Sequence, residues 1–432
     1  MEIKRDYYLQ QLILRKHNSM IKVITGMRRC GKSYLLNNIF YNHLIDSGVK
    51  ENHIIRFAFD SAKDLTLIGE DLINLKKENK KVDPYKFLEY MKTQIIDKDM
   101  YYLLLDEIQN LDNFEYVLNG YLRENNLDIY VTGSNAKFLS KDVITEFAGR
   151  GDEVKMLPLS FAEFMSVYSG EKIDGFQEYM TYGGLPVVVL LPTHEQKDIY
   201  LKNLFEETYI TDIKERNKLR KNNTEIDEIL NILASSIGSL TNTTKLSNTF
   251  KSIKNKTITR NTIEKYIGYI KDSFIIDEAK QYDVKGKKYI NTPLKYYFTD
   301  LGLRNAKINF RQIEETHSME NIIFNELKLR GFNVDVGIVE QRITDKTGKR
   351  IRQRLEIDFI ANKGHNRYYI QSALTMPTKE KEEQEQRSLI KVEDSFKKII
   401  ITGGFTPEHY NDDGILIMNI FDFLLNPNSL NK

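Results

Sequence analysis

Tryptophan is absent from this chain, and cysteine occurs once, at Cys30. A single thiol excludes an internal disulfide and fits a reducing compartment, so the cytoplasm is the expected location. The first residues, Met1-Glu2-Ile3-Lys4-Arg5-Asp6, lack the apolar core of a signal peptide. No apolar run is long enough to span a bilayer, so no membrane partner is expected. An excess of one charge is missing too: 63 Lys and Arg against 61 Asp and Glu leave +2. Any nucleic-acid contact must therefore come from a local basic patch. Internal repeats and low-complexity linkers are also absent. What is there, 432 residues of which 41% are hydrophobic and 29% charged, reads as a globular chain of two to four domains.

The most informative stretch is Gly26-Met27-Arg28-Arg29-Cys30-Gly31-Lys32-Ser33. It fits G-x-x-x-x-G-K-[ST], the phosphate-binding loop. Ile21 to Thr25 in front reads as a buried strand, and Ser33 to Phe40 behind reads as a helix starting with Ser33 and Tyr34. Loop N–H groups and the helix dipole then favour an anion. Lys32 is expected to reach the β- and γ-phosphates of ATP, and Ser33 to ligate Mg²⁺. Residues 26–34 form the expected nucleotide-binding set. Arg28 and Arg29 are open to three readings: nucleotide contact, contact with a partner subunit, or a solvated pair. Downstream, Tyr101-Tyr102-Leu103-Leu104-Leu105-Asp106-Glu107 is an apolar run ending in two acids. At the C-terminal end of a parallel strand, Asp106 is placed to join the Mg²⁺ shell and Glu107 to polarise the attacking water.

Residues from about 20 to 158 alternate short apolar strands with helical patterns, the signature of a parallel α/β sheet. Ile54 to Phe59 and Ile129 to Thr132 read as further strands, and Ser160 with Glu163 as a helix capping box. From 160 to 215 the pattern is helical, broken at Tyr182-Gly183-Gly184-Leu185-Pro186. Between 224 and 304, two short helices and a third over Thr259 to Ile270 precede a strand starting at Phe274. A hairpin over Tyr282 to Ile290 follows, its tip basic with Lys285, Lys287 and Lys288. Helices followed by a hairpin predict a winged helix. Residues 316–425 return to mixed α/β, with a helix over Met319 to Leu329 and strands at 355–361, 368–371 and 398–402. The charged run Lys379 to Arg387 reads as a solvated helix face.

The chain resembles the prokaryotic AAA-type ATPases that carry a C-terminal domain of unknown function. The resemblance rests on the two motifs above and on Thr132-Gly133-Ser134-Asn135, Gly149-Arg150 and Pro158-Leu159-Ser160-Phe161. Tyr182 to Pro186, Tyr296 to Arg304 and Glu356-Ile357-Asp358-Phe359 extend it over nearly the whole chain. It implies a P-loop ATPase core over residues 1–158 and a helical lid over 159–223. A winged helix over 224–310 and a restriction-endonuclease-like α/β domain over 311–432 complete the expected set. It also implies that Asn135 is the polar sensor near the γ-phosphate, with Thr132 and Ser134 as alternatives. Arg150 is either an arginine finger or a surface residue ending a turn.

Endonuclease-like folds place a helix acid, an Asp and a Glu-x-Lys around a metal. Glu320, Asp358 and Glu356 match the acids here, but the next strand has Gln371-Ser372-Ala373. Gln is a poor Mg²⁺ ligand, and Ala supplies no charge, so a binding fold without nuclease chemistry is expected unless a lysine such as Lys328 substitutes. The whole reads as an ATP-hydrolysing, Mg²⁺-dependent switch acting on DNA, with homo-oligomerisation open. Its rivals are a nucleotide-dependent protein-interaction switch and an ATPase-regulated nuclease.

Overall fold

The apolar runs at 21–26, 101–106 and 127–132 become strands buried almost throughout, while 54–58, at a sheet edge, leaves Arg56 exposed. They were traced in a computed structural model that describes residues 3–133, 147, 149–220, 223–254, 258–311, 313–344 and 350–431. The chain divides into two compact units.

The first unit holds residues 1–158 with 272–274. Its sheet comprises β1 (Ile21–Gly26), β2 (Ile54–Ala58), β3 (Tyr101–Asp106), β4 (Leu127–Thr132) and β5 (Gly151–Met156). The order is β2-β3-β4-β1-β5, with every described pair parallel. All six residues of β1 and of β3 are buried. β4 lies between these two strands, so the phosphate loop after β1 and the acids after β3 emerge at the same carboxyl edge. Phe57, Phe59, Phe87 and Met91 pack beside Leu103 and Leu105 in the core on one side of the sheet. The helix after the loop runs from Lys32 to Asp46, and its middle, Leu35–Phe40, is wound as a π-helix. π turns of this kind often mark functional sites.

The second unit holds residues 159–271 and 275–432. It opens on helix Phe161–Met165, capped reciprocally by Ser160 and Glu163 as expected. Helices Lys172–Tyr182, Pro186–Leu190 and His194–Asn203 follow, then Glu225–Ser235, Thr243–Lys254 and Arg260–Asp272. Phe274 lies outside the expected strand, in left-handed backbone at φ 60°; the strand starts at Ile276. An eight-stranded sheet closes the unit. It contains β6 (Ile276–Asp283), β7 (Lys288–Phe298), β8 (Asn333–Thr344), β9 (Arg350–Lys363) and β10 (Asn366–Ala373). β11 (Lys397–Thr402), β12 (His409–Tyr410) and β13 (Leu416–Asn419) complete it. The order is β12-β13-β11-β10-β9-β8-β6-β7. The basic-tipped hairpin β6–β7 is therefore part of this sheet, since β6 pairs in parallel with β8.

Candidate functional site

Gly26 ends β1 at φ 144°, and a Cβ there would lie 2.2 Å from the Met156 carbonyl oxygen. Only glycine fits where the end of β5 passes this close. Arg29 at φ 64° and Gly31 at φ 101° curl the loop through left-handed backbone. Left-handed turns of this kind aim successive N–H groups at one anion. Arg5 braces the loop from beneath. It is buried and donates to the carbonyls of Cys30 at 3.2 Å and Leu157 at 2.6 Å. The Cys30 side chain is fully buried, with Sγ 3.7 Å from the Met156 carbonyl, so of its polar atoms only the backbone can face a phosphate. Lys32 is also buried, and its Nζ donates to the carbonyls of Gly26 and Met27, each at 3.0 Å. Met27 is buried, Arg28 half-buried, and Arg29 and Tyr34 are exposed.

Asp106 joins the two motifs. Its Oδ1 accepts from Ser33 Oγ at 3.1 Å and from Thr132 Oγ1, and its Oδ2 accepts from Asn37 Nδ2 at 3.4 Å. Burial raises the Asp106 carboxyl above its ordinary value, against the lowering effect of the Thr132 and Ser33 hydrogen bonds. Thr132 also accepts from the Glu107 backbone N–H at 3.0 Å, so one hydroxyl ties both acids to the end of β4. Glu107 itself is in left-handed backbone, φ 50°, and its Oε2 accepts from the Gln109 amide. Non-glycine residues held there store strain that clusters at functional sites. Asp60, on the turn after β2, is a third acid at this edge. Withdrawal from water raises its carboxyl first, and the charges of Glu107 and Asp106 add to this. The donor set fits a nucleoside triphosphate with Mg²⁺: a glycine cradle, a lysine ammonium, and a hydroxyl hydrogen-bonded to a carboxylate.

The second unit holds its own acid cluster. Glu320 lies on helix Glu315–Leu329, and Glu356 and Asp358 lie on β9. Lys295 of β7 fills their centre, with Nζ 2.7 Å from Glu320 Oε1, 2.6 Å from Glu356 Oε1 and 3.6 Å from Asp358 Oδ1. Tyr297 OH donates to Glu320 at 2.6 Å. Burial alone would lower the Lys295 ammonium, but Glu320, Asp358 and Glu356 outweigh it and hold the group above the ordinary lysine value. Burial, then the Glu320 charge, pushes Asp358 up to about 7. Lys328, the example of a lysine that could substitute, is not at this site; its Nζ lies 3.8 Å from Asp277. Lys295 was missed because it lies 25 residues before Glu320, outside any endonuclease pattern.

A family model for an AAA domain matches residues 18–165, and one for a domain of unknown function matches residues 173–314. An uncharacterized protein of Haemophilus influenzae is 34% identical over 433 residues, covering 98% of each chain. This chain belongs to the same family. A second relative, an uncharacterized protein of Methanocaldococcus jannaschii, is 27% identical, covering 93% of this chain and 85% of its own. Among solved structures, a Walker-type ATPase of Pyrococcus abyssi aligns with a TM-score of 0.46 and 17% identity, covering 71% of this chain and 96% of its own. In this chain the segment that the AAA model matches carries the expected α/β architecture, with a five-stranded parallel sheet. Among the described residues no helix is long and apolar enough to cross a membrane.

Within the AAA domain, Lys32, Ser33, Asp106 and Glu107 converge. Of the three sensor candidates, Thr132 touches the acids, while Ser134 and Asn135 lie outside the described residues. Arg150 is exposed, and its carbonyl accepts from Ile21 N–H at 2.8 Å, at the start of β1. Gly26 is at the other end of that strand, five residues and about 16 Å away.

Proposed function

We propose that this protein binds ATP at residues 26–34, hydrolyses it with Mg²⁺, and uses the change of nucleotide state to alter its hold on DNA. The observation that carries the reading is the Asp106 carboxylate, hydrogen-bonded to Ser33 at 3.1 Å with Glu107 beside it. Lys32 would exchange its loop carbonyls for the β- and γ-phosphates. Ser33 and Asp106 would hold Mg²⁺, which supplies positive charge against the phosphate oxygens. Glu107, steadied by Gln109, would take a proton from the attacking water as its oxygen bonds to the γ-phosphorus. The bond to the β–γ bridging oxygen then breaks and ADP leaves.

Arg150 sits at the wrong end of β1 to reach its own phosphates. As an arginine finger it serves the nucleotide of another copy, and a homo-oligomer is part of the proposal. Its exposure and the register of β5 against β1 support this. The further reading, that the second unit has no nuclease activity, is supported by Gln371, which stands where a third acid is needed; Lys295 supplies the charge that Ala373 lacks, but pairs with Glu320 and Glu356, the acids a divalent metal would need. The test is ATP hydrolysis by the full chain, with and without duplex DNA. Absence of hydrolysis in both conditions, with Mg²⁺ present, defeats the proposal.

A further inference from the structure

β8 and β9 run on as a pair past the rest of their sheet. β6 pairs with β8 only as far as Ile338, and β10 pairs with β9 only back to Phe359. Among the described residues, from Val339 opposite Leu355 to Thr344 opposite Arg350, the two strands pair only with each other. Six successive rungs make a two-stranded arm about 20 Å long.

Residues directly opposite share a face, and so do residues two apart along a strand. One face of the arm therefore carries Glu340 with Arg354, Arg342 with Arg352, and Thr344 with Arg350. All four arginines are exposed. Among the described residues, Glu340 accepts from Arg354 at 2.9 Å and lies 4.0 Å from Arg352, while Arg342 and Arg350 form no ion pair. The other face is uncharged. Gln341 donates to Gln353 at 2.7 Å, Ile343 faces Ile351, and Gln353 accepts from Arg387 of helix Lys379–Ile390. Residues 340–354 hold six basic side chains against two acidic ones in a chain whose total is +2.

Arg342 directly opposite Arg352 is the informative rung. Like charges facing each other across a strand pair destabilise it. Charge on an exposed strand edge does deter edge-to-edge pairing, but alternating signs would do this without repulsion. Four arginines on one face are satisfied by a dense array of negative charge. A two-stranded β-ribbon fits the major groove of B-form DNA, which is about 12 Å wide. The deep, narrow major groove of A-form RNA would not admit it.

We propose that the arm formed by residues 339–344 and 350–355 is a DNA-binding ribbon, with Arg342, Arg350, Arg352 and Arg354 contacting the phosphates of duplex DNA. This rests on the reading of the protein as one that holds DNA, and names the surface that does so. The contacts are to the backbone, so affinity is largely independent of sequence and falls with salt.

The experiment compares the full-length wild type with a variant in which these four arginines are replaced by Gln. Fluorescence anisotropy with a labelled random-sequence DNA duplex is read over a salt series. The wild type binds, and the variant loses at least about tenfold in affinity at physiological salt. Its slope of log K against log salt shrinks by about 3 to 4, near 0.9 per lost contact. Basal ATP hydrolysis is unchanged. Arg342→Gln alone is the folding control: it removes one member of the repelling pair, so its melting temperature equals or exceeds that of the wild type. A lower one overturns the reading of that rung. If the wild type binds and the fourfold variant binds with the same affinity and slope, the ribbon assignment fails while the DNA reading stands. If the wild type shows no salt-dependent binding, the DNA reading fails and the ribbon with it. Equal or tighter binding to duplex RNA overturns the choice of DNA.

Discussion

Asp300 accepts a hydrogen bond at 2.8 Å from the backbone N–H of Gly184, a residue 116 positions earlier. The same carboxylate caps helix Leu301–Lys307 by accepting from Leu303 N–H at 3.0 Å. A Cβ on Gly183 would sit 2.4 Å from this carboxylate, and one on Gly302 would sit 2.0 Å from the Tyr182 carbonyl oxygen. Tyr-Gly-Gly-Leu-Pro and Thr-Asp-Leu-Gly-Leu are thus two halves of one lock, each small where the other approaches.

Burial raises the Asp300 carboxyl from 3.8 to about 6, despite its backbone hydrogen bonds. Between those values the folded state binds more protons than the unfolded one, so the contribution of this group to stability falls as pH rises from about 4 to about 6. Asp300→Asn removes that part of the pH dependence. It also turns an amide NH₂ towards a backbone N–H donor, which costs about 1–3 kcal/mol. Melting curves of both proteins from acid to neutral pH test this; a variant with the wild-type pH slope would contradict it.

Lys32→Ala removes the ammonium that the phosphates need, so tight ATP binding is lost. Glu107→Gln keeps ATP binding but stops turnover, because Gln does not take a proton from water. Nucleotide affinity and steady-state hydrolysis are measured side by side. Wild-type hydrolysis by Glu107→Gln would show that another group is the base.

Lys295→Met leaves Glu320, Asp358 and Glu356 without their buried counter-charge, and about 3–5 kcal/mol of stability goes with it. Adding Glu320→Gln to that variant restores part of the loss, since fewer like charges remain. Chemical denaturation of the single and double variants reads both effects. The wild type should cleave neither linear nor supercoiled DNA with Mg²⁺ or Mn²⁺. Cleavage that disappears in Asp358→Ala would overturn the assignment of this cluster as inert.

Cys30 is fully buried against the end of β5. A bulky maleimide should label the folded protein very slowly and the urea-unfolded protein at once. Rapid labelling of the native chain, slowed by ATP, would instead show that the loop opens and presents the thiol to the nucleotide site.

The phosphate loop and the Asp106–Glu107 pair were legible in the sequence because each motif is local: spacing and flanking strand already fix its geometry. Asp60 was not, since its place beside Asp106 depends on β2 pairing with β3. Lys295 was hidden for the same reason; it meets Glu320 only because β7 lies beside helix Glu315–Leu329. The π turn over Leu35–Phe40 left no mark, because the apolar spacing still reads as an ordinary helix. The arginine arm went unread because Arg350-Ile351-Arg352-Gln353-Arg354 alternates with too few apolar residues to signal a strand. Arg150 showed its residue type but not its end of the sheet, which only the pairing of Ile21 with Gly151 reveals.

The parallel pairing of β6 with β8 bears on how the chain can be divided. Gln281, Tyr282 and Asp283 take Val336, Gly337 and Ile338 as neighbours, so the hairpin before residue 310 and the strands after it share one sheet. A fragment ending at 310 would expose the inner edge of β6, an open template for pairing with other copies. Fragments cut there should aggregate separately and become soluble when co-expressed, each supplying the strand the other lacks.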